Sequence, residues 1–490
     1  MTPYIKTFND TGSKDVREVG GKNASLGEMY SRLSSKGIKV PNGFAVTAAA
    51  FKYFIAANKL TDHHTELLSR LDRVNYSNLH EIGKEARNLV LSGSVPQDLQ
   101  EAILSTYHEL LQGTDVAVRS SATAEDLPQA SFAGQHESYL NVRGDDAVVE
   151  AVKKCFASLY TDRAIKYRED NKFDHDKVFL SVGIQQMVRS DKACSGIGFT
   201  LDPDSGFRNV IHIAGVWGLG ETIVQGQVTP DEFTLFKPSL KGGFRAILER
   251  KLGKKLKMMV YSDEKTQPTL TVDTPAELID RYVLNDDEIS TLGNWSLLIE
   301  NHYGRPMDVE WAKDGQSGEL FIIQARPETV YSRKRTTQVV EFRLSEKGKV
   351  LAGGEAIGNK IVSGTVRILR SPQEADKLLD GEILVTEITS PDWDPLLKRV
   401  SAIITDKGGR TSHASIVARE LGVPAIVGSE TGTATMKDGD IVTVSCAEGR
   451  IGKVYEGRLQ WQEIPHDFTN IHLPNDPEVM LIGAEPGKDF

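Results

Sequence analysis

Cysteine, basic charge and long apolar runs are all scarce in this sequence. The chain has three cysteines in 490 residues, Cys155, Cys194 and Cys446, and no CxxC spacing joins them. This scarcity argues against a disulfide framework and against a zinc site. The formal net charge of -10 leaves no basic surplus to neutralise phosphates, so a nucleic-acid partner is not expected.

The sequence also offers nothing long enough to cross a membrane. No run approaches the ~18 apolar residues that a membrane-spanning helix needs, and the opening MTPYIKTFND contains no apolar h-region. Charged residues make up 26% and hydrophobic residues 39% of the chain, as in an ordinary globular protein. We therefore expect a cytoplasmic protein without a membrane partner, long enough for about two to four domains.

The sequence pattern divides into two blocks and a tail, within a multidomain α/β and α+β chain. Residues 1–330 form the larger block, and residues 331–345, which begin polar and basic, form a linker. Residues 346–460 alternate short apolar strands with helices, and residues 461–490 form a polar tail that contains several prolines. We expect the linker to act as a hinge between the two blocks.

The most informative segment is GGRTSHASIVARE, residues 408–420. It follows the apolar run AIIT, which predicts a buried strand, and its glycine pair leaves room for a bulky group. Thr411 or Ser412 can act as the N-cap of a helix that begins near His413, and Gly422 can end that helix. The run AIV then predicts the next strand.

This context makes His413 a candidate phosphoryl acceptor. A neutral imidazole is nucleophilic and can carry phosphate as an intermediate. At the start of a helix, the phosphate would meet free backbone N–H groups and the positive end of the helix dipole. The alternative is that His413 merely caps the helix.

Two cations of the larger block predict phosphate contacts. The run GGK ending at Lys22 precedes a helix, an arrangement in which backbone amides and one ammonium hold nucleotide phosphates, although it is not a Walker A loop. Arg119 stands at the predicted end of a short buried strand, where its planar guanidinium can bind phosphate oxygens. The small-residue segment SFAGQ, residues 131–135, can close over them. The alternatives are an ordinary capped helix and a surface salt bridge.

An acidic counterpart is predicted on a hairpin formed by PMDVEWA and LFIIQAR. A hairpin centred near Ser317 pairs Glu310 with Gln324. It also pairs Asp308 with Arg326, on the same face. The oxygens of Glu310 and Gln324 suit a Mg²⁺ that keeps its other positions for water and nucleotide phosphate, and Arg326 can neutralise the transferring group. A solvated polar face is the alternative.

Six motifs, in order along residues 1 to about 460, resemble the phosphoenolpyruvate synthase family of pyruvate, water dikinases. They are GGKNASLGEM, VRSSATAEDLPQASFAGQ, GVWGLGETIVQGQVTPDEF, HYGRPMDVEWAKD, IIQARPETV and GGRTSHASIVARELGVPAIVG. The resemblance implies an ATP-grasp nucleotide-binding domain, residues 1–330, followed by a swivelling β/α phosphohistidine domain, residues 346–460.

The resemblance also implies the site residues. His413 matches the phosphorylated histidine, and Mg²⁺ would be held by Glu310 and Gln324. Contacts to ATP or the metal would come from Lys22, Arg119, Gly134, Ser138, Gln185, Glu310, Gln324 and Arg326. Gln185, Gln186 or both can fill the family's glutamine position, of which we favour Gln185.

The implied activity converts ATP, pyruvate and water into AMP, phosphoenolpyruvate and phosphate, a gluconeogenic step. In this family a C-terminal barrel of about 250 residues or more binds pyruvate. The sequence stops at Phe490, so we expect the barrel to be missing, either because the chain is cut before it or because it is a separate polypeptide. Thr411 matches a threonine that a regulatory kinase-phosphatase modifies. Alternatives are a dikinase subunit with another small acceptor, or phosphate, bound on a separate chain, and a non-enzymatic phosphocarrier.

Overall fold

The computed structural model of the protein describes residues 4–123, 126–127, 130–131, 137–203, 205–262, 264, 267–328 and 338–467. Its strands are β1 Ile5–Thr7, β2 Gly43–Val46, β3 Val116–Ala122, β4 Asp126–Leu127, β5 Ala130–Ser131, β6 Ser138–Val142, β7 Leu180–Gln186, β8 Cys194–Phe199, β9 Val210–Trp217, β10 Asp231–Phe236, β11 Ile247–Lys251, β12 Lys257–Tyr261, β13 Thr269–Asp273, β14 Met307–Lys313, β15 Leu320–Pro327, β16 Gln338–Leu344, β17 Val350–Ile357, β18 Ile361–Ile368, β19 Ile383–Thr386, β20 Ala402–Thr405, β21 Ala425–Val427, β22 Ile441–Ser445, β23 Ile451–Glu456 and β24 Trp461–Asp467.

The helices range from single turns to five turns. They are α1 Val16–Leu33, α2 Ala48–Ala57, α3 Leu60–Ser69, α4 Leu79–Ser92, α5 Gln97–Leu111, α6 Asp145–Ala157, α7 Asp162–Asp170, α8 Glu221–Val224, α9 Lys237–Lys241, α10 Ala276–Ile279, α11 Asp286–Tyr303, α12 Asp394–Leu397, α13 His413–Leu421 and α14 Gly432–Thr435. Among the described residues, no helix has both the length and the apolar character that crossing a membrane requires.

The described residues divide into two compact units, each assembled from separate stretches of chain. Unit 1 lies within Met1–Lys192, Val260–Leu270 and Val309–Arg326. Unit 2 lies within Ala193–Met259, Thr271–Asp308 and Pro327–Phe490.

Unit 1 contains a five-stranded antiparallel sheet with the order β1-β2-β7-β3-β6. One face of the sheet packs against a core that α2 to α7 share, because alternate residues such as Val118 and Val182 point into it. Helix α1 covers the other face, where Asn23 Nδ2 donates to Ser181 Oγ at 3.1 Å. The residues between the core positions, Arg119 among them, therefore face α1.

The glycine pair before Lys22 has the conformation that its sequence predicts. Gly20 has φ 74° and ψ 166°, which kinks α1 just before Lys22. A Cβ at Gly20 would collide with the side chain of Ser121, so this position needs glycine for its backbone angle and for its close approach. The prediction that the GGK run leads into a helix is confirmed.

Of two strand predictions in unit 1, one is confirmed and the other is wrong. The hairpin strands are confirmed, since β14 and β15 are neighbours in one sheet and are joined through residues 314–319. The prediction that Arg119 ends its strand is wrong, because β3 continues to Ala122. The additional strand residues are Ser120, Ser121 and Ala122, whose small side chains are buried. The local sequence does not indicate this burial.

In unit 2, strands β8 to β11 form an antiparallel series with the order β11-β10-β9-β8.

Helix α11, also in unit 2, begins with a capping box. Asn285 Oδ1 accepts from the N–H of Glu288 at 3.0 Å, and Glu288 Oε2 accepts from the N–H of Asn285 at 3.0 Å. It ends at Gly304 in the left-handed conformation, φ 67°.

Unit 2 also contains a closed barrel with the strand order β17-β21-β20-β19-β18-β22-β23. The pairs β18–β19, β19–β20 and β20–β21 are parallel, and the other neighbouring pairs are antiparallel. Strand alternation divides the residues between two cores. Ile383 and Ile404 point into the barrel, whereas Leu384 and Ile403 point outward onto α12 and α13.

The predicted strands of the smaller block are confirmed as β18, β19, β20, β21 and β22. Part of the predicted linker and part of the predicted tail are strands as well, because β16 pairs with β24 in an antiparallel ribbon. Residues 331–337 of the linker and 468–490 of the tail lie outside the described residues. The domain boundaries themselves remain predictions.

A bidentate ion pair ties β18 to the start of β19. Arg367 Nε and Nη2 donate to the two carboxylate oxygens of Glu382 at 3.0 and 2.8 Å. The guanidinium holds the pKa of Glu382 below its ordinary value. Because the folded state favours the ionised carboxylate, this stabilisation is present above the ordinary glutamate pKa and is lost as the pH falls through the lowered one.

We expect Glu382→Gln to lower the free energy of unfolding at pH 7 by about 1–3 kcal/mol, since a charge-assisted pair is lost. The difference from the unchanged chain should shrink as the pH falls through the lowered pKa of Glu382, below which the carboxylate is protonated in both the folded and the unfolded state. Denaturant unfolding between pH 7 and pH 3 measures it. A difference that stays constant with pH would rule out the ionised pair as its cause.

Candidate functional site

His413 is the first residue of α13, and the local sequence explains the turn that delivers it. The chain leaves β20 through Gly408, whose φ of 111° suits only glycine. Ser412 is the N-cap residue, with extended φ and ψ of -69° and 163°, and its side chain makes no capping hydrogen bond. Gly422 ends the helix in the left-handed conformation, φ 69°. Of the two N-cap candidates, the N-cap is therefore Ser412 and not Thr411.

Both ring nitrogens of His413 are in contact with a side chain. Nδ1 lies 3.0 Å from Oγ1 of Thr389, and Nε2 lies 3.0 Å from Oδ1 of Asp394. The His413 side chain is 12% exposed and that of Asp394 is 29% exposed, whereas Thr389 is buried. The imidazole is thus held in one orientation, with Nδ1 toward the interior and Nε2 toward the more open side.

The parallel strands of the barrel bring these three residues together. Thr389 and Asp394 lie in the connection that follows β19, and His413 lies in the connection that follows β20. Strands β19 and β20 are parallel neighbours, so the connections at their carboxyl ends meet at one edge of the sheet. Leu397 of α12 and Ala414 of α13 share one core, which fixes the two connections against each other.

Thr389 and Asp394 were not predicted from the sequence. A usable signal was present, because the segment TSPDWDP follows one predicted strand and the His413 segment follows the next. Polar residues at the carboxyl ends of consecutive parallel strands converge, but the prediction requires knowing that the strands are parallel neighbours.

The turn before His413 is tightly packed within unit 2. Ser415 Oγ donates to the carbonyl oxygen of Gly409 at 2.7 Å and lies 3.1 Å from Ser412 Oγ. Arg410 pairs with Asp202 at 3.6 Å, and burial lowers the pKa of Arg410 to about 10. Thr411 is 1% exposed, and its buried Oγ1 has no hydrogen-bond partner.

In unit 1, three of the residues predicted to contact ATP share one face of the five-stranded sheet. Arg119 on β3 lies directly opposite Ser138 on β6. Gln185 on β7 lies opposite Ala117, two residues along β3 from Arg119. Gln185 is buried, whereas Gln186 is exposed, so the two candidates for the glutamine position differ in environment.

Helix α1 and the hairpin meet the same face. Ser25 Oγ, three residues after Lys22, donates to the carbonyl oxygen of Ala325 at 2.7 Å. Ala325 lies between Gln324 and Arg326 on β15. On β14, Glu310 Oε2 lies 3.8 Å from Nη2 of Arg119. Unit 1 therefore brings one predicted cation, Arg119, close to the predicted carboxylate, Glu310, while Gly134 lies outside the described residues.

Several buried donors on this face have no hydrogen-bond partner among the residues that the structure describes. Nε and Nη1 of Arg119 and Nε2 of Gln185 are buried without a hydrogen bond. An unsatisfied buried donor costs about 1–3 kcal/mol, and more when the group is charged. Folded proteins usually satisfy such groups, so unpaired guanidinium and amide N–H donors in one place fit an anionic ligand with several acceptor oxygens.

The same face also fits the Mg²⁺ predicted from the sequence. The Glu310 carboxylate lies 3.8 Å from the Arg119 guanidinium, which is too far for a hydrogen bond. Gln324 is buried on the neighbouring strand, β15. Among the described residues, no group of three or more His, Cys, Asp or Glu side chains is arranged to hold a metal. Mg²⁺ commonly takes one or two protein oxygens and completes its shell with water and phosphate, so two ligands suffice.

Two family models match the sequence, and together they cover both predicted blocks. "Pyruvate phosphate dikinase, AMP/ATP-binding domain" matches residues 16–347, and "PEP-utilising enzyme, mobile domain" matches residues 378–449. The chain belongs to the pyruvate phosphate dikinase AMP/ATP-binding family. The predicted multidomain α/β organisation, with a nucleotide-binding domain before a mobile domain, is confirmed at this level.

Curated relatives named "Phosphoenolpyruvate synthase" match nearly the whole chain. The protein from Aquifex aeolicus is 49% identical over 488 residues, which cover 96% of this chain and 57% of the relative. Those from Pseudomonas aeruginosa and Escherichia coli are 49% and 48% identical over 496 residues, which cover all of this chain and 62% of each relative. The chain thus spans about three-fifths of the length of these relatives.

We expect Arg119→Met to leave the free energy of unfolding unchanged, or to raise it by up to about 1 kcal/mol, because it removes two unsatisfied buried donors. The same change should weaken ATP binding by about 1.5–3 kcal/mol, or roughly 10- to 150-fold in Kd. Calorimetry of ATP binding and denaturant unfolding measure the two effects. Arg143→Met is the control, since Arg143 is exposed and pairs with Asp115 at 3.5 Å. Unchanged ATP affinity in Arg119→Met would contradict the phosphate contact.

Proposed function

We propose that the protein transfers a phosphoryl group from ATP to His413, in the first half-reactions of phosphoenolpyruvate synthesis. The observation that carries the proposal is the position of His413 at the first residue of α13, since the backbone N–H groups of a helix's first turn and the helix dipole favour an anion. The names of the curated relatives support the same activity, which is that of a pyruvate, water dikinase.

The nucleotide would be bound in unit 1, in an ATP-grasp domain. Arg119 and Gln185 would donate to its phosphate oxygens through the N–H groups that lack partners. Lys22 and Arg326 would add positive charge, and Ser138 and Gly134 would complete the contacts. Glu310 and Gln324 would hold Mg²⁺, which supplies charge neutralisation at the phosphates when bound.

At the histidine, the chain would perform a displacement at phosphorus. An imidazole nitrogen of His413 would bond to the β-phosphorus of ATP while the bond from that phosphorus to the AMP oxygen breaks, and AMP leaves with the electron pair. Water would then take the terminal phosphate, so that one phosphoryl group stays on His413. Catalysis of this kind comes mainly from positioning and electrostatic stabilisation.

The last acceptor would be pyruvate, as the resemblance to phosphoenolpyruvate synthases implies. The swivelling of the phosphohistidine domain about residues 331–345 remains a prediction. A dikinase subunit with another acceptor would form AMP but no phosphoenolpyruvate. A phosphocarrier charged by an outside donor would form no AMP from ATP.

A single incubation separates these functions. We expect β-labelled ATP and Mg²⁺ to release AMP and to leave an acid-labile label that is lost in His413→Ala. Pyruvate together with a barrel domain should remove the label as phosphoenolpyruvate. Failure to form AMP or label would contradict the proposal, and label that only another acceptor removes would favour the alternative dikinase.

We expect Glu310→Ala to stop AMP formation while the protein keeps its fold. The partly exposed carboxylate should contribute within about 0.5 kcal/mol to the free energy of unfolding. Loss of a metal ligand should instead remove several kcal/mol of charge stabilisation from the transition state. Glu319→Ala is the matched control, because Glu319 lies on the connection between the same two strands and pairs with an exposed lysine, Lys39. A normally folded Glu310→Ala protein that labels His413 at the ordinary rate would show that the metal is held elsewhere.

We also propose that phosphorylation of Thr411 would turn the site off. A phosphate there adds roughly -1.5 to -2 charge, two residues from His413 and at the same helix N-terminus. The alternative, that Thr411 is only a cap, loses support because Ser412 is the N-cap residue. Thr411 is almost fully buried, so a regulatory kinase-phosphatase would act on the turn only after the turn is exposed.

Two substitutions of Thr411 test this regulation. We expect Thr411→Val to release AMP from ATP at nearly the ordinary rate, because its hydroxyl makes no hydrogen bond. Thr411→Asp should block AMP release, because it places a negative charge where the phosphoryl group must bind. Melting curves check that both variants are folded. A folded Thr411→Asp protein that releases AMP as fast as the unchanged chain would contradict the electrostatic switch.

A further inference from the structure

The contact between Asp394 and His413 fixes where a proton lies. A carboxylate can only accept a hydrogen bond, so at 3.0 Å from Asp394 Oδ1 the Nε2 atom of His413 carries a hydrogen. A ring nitrogen that carries hydrogen has no lone pair with which to attack phosphorus. Nε2 must therefore lose its proton before it reacts, and the carboxylate is the acceptor already in hydrogen-bond contact.

Nε2 is the nitrogen open to a donor. Nδ1 lies against Thr389, which is 2% exposed, whereas Nε2 lies against Asp394, which is 29% exposed. A phosphoryl group reaching Nδ1 would have to displace a buried side chain, but one reaching Nε2 displaces only a carboxylate at the surface of the site.

We propose that Asp394 is a further catalytic residue, the proton acceptor for Nε2 of His413. This inference rests on the proposed role of His413 as phosphoryl acceptor. In the imidazolium form, Nδ1–H donates to Thr389 Oγ1 and Nε2–H donates to Asp394 Oδ1. The proton passes from Nε2 to Oδ1, leaving a lone pair on Nε2 and the other proton on Nδ1.

The displacement then balances. The Nε2 lone pair forms the bond to phosphorus, and the bond from phosphorus to its leaving oxygen breaks with the electron pair going to that oxygen. Asp394 keeps the transferred proton as a neutral carboxylic acid. In the reverse step, the proton returns to Nε2 as the phosphoryl group leaves the ring.

The fold holds Asp394 firmly enough for this role. Asp394 begins α12, and the residues around it, Trp393, Leu396 and Leu397, are buried in one core. The same core contains Ala414, the residue after His413. A proton acceptor must lie within hydrogen-bond reach of its donor, and shared packing of this kind sets that distance.

The experiment compares Asp394→Asn, Asp394→Glu and Asp394→Ala with Asp392→Asn, an exposed aspartate two residues away on the same segment. Labelling of His413 is followed with two donors, ATP with Mg²⁺ and phosphoramidate, a small phosphoryl donor that requires no nucleotide site. Melting curves confirm that each variant is folded.

We expect Asp394→Asn to slow labelling from both donors by at least about 100-fold, the usual loss when a proton-transfer group is removed. Asp394→Glu should keep much of the rate, and Asp392→Asn should keep all of it. Added formate should restore labelling of Asp394→Ala, because a small carboxylate can occupy the vacated space and accept the proton. A purely structural role for Asp394 would show no rescue by formate.

The two donors separate failure of this inference from failure of the proposed function. If the unchanged chain is labelled and folded Asp394→Asn is labelled equally fast, Asp394 is not the proton acceptor. If only phosphoramidate labels the unchanged chain, the ATP-dependent function is wrong and the variants still decide the role of Asp394. If neither donor labels it, His413 is not a phosphoryl acceptor and both proposals are overturned.

Discussion

The imidazole of His413 is hydrogen-bonded at both ring nitrogens, and the parallel pairing of β19 with β20 makes this possible. Each strand sends its connection to the same edge of the barrel, so Thr389 and Asp394 arrive from one connection and His413 from the next. The outward residues of these strands pack on α12 and α13, and the inward residues fill the barrel. The site is therefore held on rigid elements, which precise proton and phosphoryl transfer requires.

The candidate site of unit 1 differs from the His413 site, because it contains buried N–H donors that have no hydrogen-bond partner among the described residues. Two N–H positions of Arg119 and the amide nitrogen of Gln185 are buried without a partner, next to a carboxylate at 3.8 Å from the guanidinium. Leaving such groups unpaired costs stability, and a ligand with acceptor oxygens would offset that cost. Such an arrangement would suit an anion, since preorganised donors need little rearrangement when charge moves during a reaction.

The sequence predicted the features that depend on neighbours along the chain. The helix that starts at His413, the glycine that ends it and the five central strands of the barrel all follow from caps, turns and apolar runs. The features it missed depend on distant pairing. Asp394 and Thr389 meet His413 only because two strands are parallel neighbours, and β16 pairs with β24 across more than a hundred residues of chain. The length of β3 beyond Arg119 likewise depends on the helix and core that cover it.

The charges around His413 are consistent with one anion replacing another. In the structure, a carboxylate lies at Nε2, at the helix N-terminus that also suits a phosphoryl group. An ionised Asp394 would repel that incoming group, since like charges at such close range oppose each other. Proton transfer removes the conflict, because Asp394 becomes neutral in the same step that gives Nε2 its lone pair. In the proposed mechanism the nucleophile would form as the repulsion disappears, and both changes would depend on the single hydrogen bond between Asp394 and His413.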